Sequence, residues 1–94
     1  MTKAKGKPTP QFGRIRNAAE LGALTRAFRK NQQLTLEKVS GLINISMRFL
    51  SEFERGKETA EVGKVLETLD RLGLEVIVQP RGYDKKWQDP QNDQ

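Results

Sequence analysis

Apolar residues along the middle of this chain return four times with the period of a helix and then, further on, with the period of a strand. In the first run Leu21, Leu24 and Phe28 stand at i, i+3 and i+7 and so share one helical face. The preceding "NAAE" at 17–20 has the form of a capping box, with Asn17 as N-cap and Glu20 at N3 reaching back to the cap's own amide. Residues 31–33 are polar and let this helix fray out. "LEKVSGLI" follows Thr35 and repeats Val39, Leu42 and Ile43 at helical spacing over about two turns, with Glu37 well placed in the first turn. Asn44 suits a left-handed turn, Ile45 is an apolar plug, and Ser46 is the N-cap of a third helix over 47–55. There Leu50, Phe53 and Phe49 form the inward stripe, Met47, Arg48, Ser51, Glu52 and Arg55 face out, and Gly56 suits the C′ position. Thr59 is placed to cap a fourth helix, whose Val62, Val65, Leu66, Leu69 and Leu72 keep the 3.6-residue period best of all; Gly73 closes it.

"LEVIVQ" at 74–79 changes the period to two: Leu74, Val76 and Val78 alternate with Glu75, Ile77 and Gln79, and Pro80 stops the run. A single strand leaves its amides and carbonyls unpaired, and the economical partner is its own copy across a two-fold axis. Outside these elements the pattern lapses. Residues 1–16 mix Lys, Gly and Pro without a period and describe a mobile basic arm that can order on a phosphate backbone. Residues 81–94 form a polar tail in which Trp87 stands alone, as an interface anchor or a side chain folded back on its own domain.

Composition narrows what such a chain can do. Ninety-four residues with 35% apolar content make one small domain, which at this size needs disulfides, a structural metal or self-association. Without Cys or His, disulfides, thiolate and imidazole metal sites and Ser-His or Cys-His catalysis are excluded, and self-association is left. No nucleophile stands with a base, and no Gly-rich phosphate loop is present, so an enzyme is not expected; neither is a cofactor. No apolar run approaches the roughly 18 residues of a membrane span and no signal-peptide core is seen, which points to the cytoplasm and away from a membrane partner. Of the net charge of +5, residues 1–33 hold eight Lys and Arg against one Glu, and the rest hold nine against eleven Asp and Glu. So one-sided an excess favours a polyanion such as nucleic acid over a merely solubilising tail.

Two helices joined by about three residues, the second polar on its outer side, describe a helix-turn-helix whose second helix can enter the DNA major groove. "LTLEKVSGLINISMRFLSEFERGK" resembles the Cro/repressor-type (XRE) helix-turn-helix family, and with its flanking helices the similarity spans residues 17–79. Within it, the run from "LGALTRAFRK" to "LEVIVQPR" is similar to HipB-like antitoxins of HipA-type kinases. The resemblance implies a mainly α, lambda-repressor-like domain of four or five helices over 17–73, followed by a dimerisation strand at 74–80 (Leu74, Val76, Ile77, Val78) that pairs across a homodimer. It further implies a repressor of its own operon that reads an inverted repeat in double-stranded DNA and binds the toxin kinase, with Trp87 as a possible toxin contact. A solitary phage-type repressor without a toxin partner, or a protein-bridging adaptor, are the alternatives.

Carried over by position, the family's base-reading residues fall on Ser46, Met47, Arg48, Ser51 and Glu52. Arg48 can bond bidentately to guanine, Met47 can touch a thymine methyl, and Glu52 either accepts from cytosine or orients Arg48 or Arg55. Phosphate contacts are implied for Thr35, Leu36, Ser51, Arg55, Gly56 and Lys57. Leu36 departs from the family, many members of which carry a phosphate-clamping Gln there. Arg29 and Glu54 match a pair that forms an internal salt bridge in relatives.

Overall fold

The computed structural model describes residue 10 and residues 12–82. Four helices follow one another: α1 (Ala18–Asn31), α2 (Leu36–Ile43), α3 (Met47–Glu54) and α4 (Val62–Leu72). The first three begin on side-chain caps. Asn17 Oδ1 accepts from the Glu20 amide at 2.8 Å, Thr35 Oγ1 from Lys38 at 3.0 Å and Ser46 Oγ from Phe49 at 3.0 Å. Glu20 itself reaches past the cap and accepts from the Arg16 amide at 2.7 Å, one residue further out than a capping box requires. Thr59 caps nothing. It lies in a turn, and α4 starts later, from Glu61, without a side-chain cap bond.

All four helices end on a residue in the left-handed region: Gln33 (φ 63°), Asn44 (φ 60°), Gly56 (φ 92°) and Gly73 (φ 100°). After α1, α3 and α4 the next amide reaches back five residues, Leu34 to Arg29 O at 3.2 Å, Lys57 to Glu52 O at 3.0 Å and Leu74 to Leu69 O at 2.8 Å, which is the Schellman pattern. The first helix therefore does not fray at 31–33; it stops sharply, on a Gln where Gly is the usual residue.

Central to the packing is α3, which lies against both α1 and α2. Val39, Ile43, Ile45, Leu50 and Leu72 make one buried cluster, and Phe53, Val65 and Leu69 a second. Phe49 packs on both, stacked on Phe53 with centroids 6.3 Å apart and with Lys64 Nζ over its ring at 5.7 Å, so it belongs to the interior side of α3.

The line of closest contact between α1 and α3 is polar. Leu21, Leu24 and Phe28 are only half-buried; the buried residues of α1 are Gly22, Thr25 and Arg29. A Cβ on Gly22 would run into the Phe53 carbonyl and stand 2.7 Å from that of Glu54, so the absence of a side chain is what lets the two backbones meet. Thr25 satisfies its hydroxyl on Leu21 O at 2.8 Å. In α2, Leu42 is 63% exposed rather than inward, its carbonyl accepting from Arg71 Nη2 of α4 at 3.3 Å. Along α4, Val62 and Leu66 are likewise exposed, leaving Val65, Leu69 and Leu72 inside with Thr68.

Residues 74–80 form no strand within the described chain. A ladder needs a second edge, and the described residues offer none. Leu74 instead completes the stop of α4 and packs on the second cluster, while Val76, Ile77 and Val78 lie exposed, Val78 at 93%. No described helix is long and apolar enough to cross a membrane. Trp87 and most of the basic arm lie outside the described residues.

Candidate nucleic-acid interface

The α2–turn–α3 unit is built by local chemistry. Asn44 adopts φ 60° and ψ 43°, a conformation its short polar side chain tolerates, and so reverses the chain within a residue. Ile45 is buried beside Val39, Ile43 and Leu50 and locks the turn to the core. Ser46 then starts α3, and the buried Leu50 and Phe53 fix which side faces outward. Met47, at 46%, and Arg48, with 88% of its side chain accessible, occupy the exposed first turn; Ser51 and Glu52 are half-buried one turn on.

Two arrangements share this surface. The first is an open groove of about 1060 Å³ between the end of α1, the start of α2 and α3. It brings together Thr35, Leu36, Met47, Ser51 and Arg55, and adds two residues that the sequence reading missed, Arg26 and Lys30. Their i, i+4 spacing on α1 is the signal that could have found them: two cations on one face of a helix that ends four residues before Thr35. By helix geometry the Leu36 and Glu37 amides at the start of α2 have no intrahelical acceptor, and both residues line the same groove. Leu36 lines the groove while its side chain packs, partly buried, against the first core cluster. The Glu37 carboxylate offsets part of the positive charge.

The groove's floor is the Arg29–Glu54 pair. Arg29 Nε donates to Glu54 Oε2 at 2.7 Å, Nη2 to Oε1 at 2.8 Å and Nη1 to Leu34 O at 2.7 Å, with both side chains about 5% accessible. This bidentate geometry consumes the negative charge of Glu54, so the carboxylate does not oppose an anion in the groove above it.

The second arrangement is a three-member ion cluster on the neighbouring side of α3. Glu52 Oε2 accepts from Arg48 Nε at 3.2 Å and Oε1 from Lys57 Nζ at 3.0 Å. The hydrogen bonds from Lys57 first, then Arg48, hold the Glu52 carboxyl below its ordinary pKa. Lys57 stands beyond Gly56, whose φ of 92° and close approach to Ala19, with a Cβ only 2.9 Å from Ala19 Cα, exclude a larger residue. Ser46, Arg48, Glu52, Gly56 and Lys57 thus lie beside the groove, not within its lining.

Comparison with known proteins supplies the context for this surface. No family model matches the chain. Over 73 residues it is 38% identical to an uncharacterised HTH-type transcriptional regulator, y4mF, of Sinorhizobium fredii (strain NBRC 101917 / NGR234), spanning 78% of this chain and 96% of the relative. The chain belongs to the HTH-type transcriptional regulators. Among solved structures, this regulator's fold matches that of HipB in a complex with an O4 20mer, at a TM-score of 0.69 and 18% identity, over 74% of this chain and 99% of that one. A complex of a substituted HipB with an O2 20mer matches at the same TM-score and identity, over 76% of this chain and 99% of that one.

Proposed function

We propose that this regulator is a sequence-specific DNA-binding repressor that acts as a homodimer on an inverted repeat and serves as antitoxin to a HipA-type kinase. The observation that carries the DNA-binding part is the exposed N-terminal half of α3, with Arg48 foremost, flanked by a groove with Arg26, Lys30 and Arg55 on its walls. A surface of this form suits a helix in the major groove with phosphates on either side. Arg48 is the principal base reader, with a bidentate guanine contact worth about 1–3 kcal/mol of discrimination, and Ser46, Met47 and Ser51 lie alongside it. Phosphates are held by the α2 N-terminus at Thr35 and Leu36, by Ser51, and by Arg55, Gly56 and Lys57; Arg26 and Lys30 extend that set. The fold shared with HipB in its 20mer complexes supports the same reading.

Dimerisation is supported by the exposed Val62 and Leu66 on α4 and by the unpaired Val76, Ile77 and Val78, an apolar set that a monomer would leave in water. Two such α3 helices reading an inverted repeat require half-sites about 34–36 Å apart. The antitoxin role rests on the resemblance of residues 21–81 to HipB-like proteins. The S. fredii relative is an HTH-type transcriptional regulator, and a repressor with no toxin partner is the second reading.

Selection of bound sequences from random duplex DNA, repeated over a salt series, tests the proposal. A palindromic motif whose binding weakens steeply with salt is expected, and Arg48→Ala should erase preference at one base pair of each half-site. Equal affinity for scrambled DNA refutes it. Co-purification with the product of an adjacent kinase-like reading frame separates antitoxin from solitary repressor.

A further inference from the structure

Glu52 occupies a position from which a side chain could reach a base, yet its environment is not that of a reader. Both carboxylate oxygens are engaged, Oε2 by Arg48 and Oε1 by Lys57. It is also the least accessible of the three side chains, at 27% against 88% for Arg48 and 48% for Lys57, so the two cations stand outside it. An incoming base edge meets Arg48 first.

We infer that Glu52 is a positioning residue, which holds Arg48 by its Nε so that the two terminal nitrogens point outward as an end-on fork, and which ties that fork to Lys57 at the phosphate-binding turn. The inference rests on the proposed DNA-binding reading and deepens it. A guanidinium is a planar fork, and a bidentate contact to guanine O6 and N7 uses one edge of it. With Nε committed to Glu52, the edge that remains is the pair Nη1 and Nη2. Arg48 and Glu52 are four residues apart on α3, so the brace lies along the helix surface and does not depend on any other element. Lys57 follows the Schellman turn that ends α3, where its amide bonds to Glu52 O at 3.0 Å, so the same residue is fixed to Glu52 through backbone and side chain. Base reading and phosphate anchoring therefore share one carboxylate. The cluster keeps a net positive charge, two cations to one anion, and does not repel the duplex.

The test compares full-length wild type, E52Q, R48A and R48A/E52Q by selection from random duplex DNA at fixed salt, together with the Arg48 side-chain NεH resonance of the free protein by NMR. E52Q should lower discrimination about two- to fivefold at the same base pair that R48A affects, should add nothing in the R48A background, and should shift the Arg48 NεH resonance. A changed preference at a base pair that R48A leaves intact would show Glu52 reading DNA directly and overturn the inference. Affinity rising equally for all sequences, or an unmoved NεH resonance, would overturn it as well. Wild type that enriches no sequence overturns the DNA-binding reading and this inference with it.

Discussion

Glu54→Gln removes a negative charge from beside a guanidinium that solvent barely reaches. In the wild type Arg29 makes two hydrogen bonds to the carboxylate, at 2.7 and 2.8 Å, and one to Leu34 O at 2.7 Å, with the two side chains 6% and 5% accessible. Glutamine keeps one acceptor for Arg29 but presents an NH₂ where the second oxygen stood, so a donor faces a donor and the cation is left uncompensated. Breaking a buried pair on one side costs about 3–5 kcal/mol; the hydrogen bond that survives puts E54Q near the lower end, about 3 kcal/mol. A domain of about 70 residues has a total stability of about 4–10 kcal/mol, so this is about 30% of it or more. The corresponding fall in Tm is about 12–24 °C. Urea unfolding followed by far-UV circular dichroism should show the midpoint reduced with the slope unchanged. The double variant R29M/E54M removes both charges and should lie within about 1–2 kcal/mol of wild type, the residual loss reflecting the abandoned Leu34 carbonyl. An E54Q cost below about 1 kcal/mol would refute the reasoning, because it would mean that water reaches the pair.

Gly22→Ala should destabilise by about 1–3 kcal/mol in the same assay, since the added methyl meets the Phe53 and Glu54 carbonyls and backbone cannot step aside; unchanged stability would contradict so close an α1–α3 contact. Gln33→Gly should raise stability by about 0.5 kcal/mol, the relief of a left-handed conformation outweighing the added chain entropy, whereas Gln33→Val should lower it; calorimetric Tm values decide. The Glu52 carboxyl should titrate below the usual 4.5 when followed by NMR, and Lys57→Met should move its midpoint upward. Because its folded pKa is depressed, any stability from this cluster is present above the unfolded pKa and is lost as pH falls through the folded one. V76D/V78D should shift sedimentation to the monomer if the exposed 74–80 segment is the dimer contact; an unchanged dimer would place the interface elsewhere.

What the amino-acid sequence determined by itself was decided within about one helical turn of each residue. Asn17, Thr35 and Ser46 mark helix starts because an N-cap oxygen needs only an amide two or three residues on, and Asn44, Gly56 and Gly73 mark stops because left-handed backbone favours those side chains. The outward placement of Met47 and Arg48 follows in the same way from the period that buries Leu50 and Phe53. The tertiary structure alone decided matters that join distant residues. The buried line of α1 is Gly22, Thr25 and Arg29, and not its leucines, because the backbone of α3 lies against it; hydrophobicity cannot signal a contact whose essential feature is a missing side chain. Gln33 takes a left-handed stop because Leu34 must turn inward to the core. Glu52 finds Lys57, not Arg55, because the turn at Gly56 swings the lysine back over α3. The groove that unites Arg26 and Lys30 with Arg55 exists only once α1 and α3 are packed. The period-two run at 74–79 shows the limit from the other side: alternation describes which faces a strand would have, but pairing needs a second edge, and one described chain does not contain it.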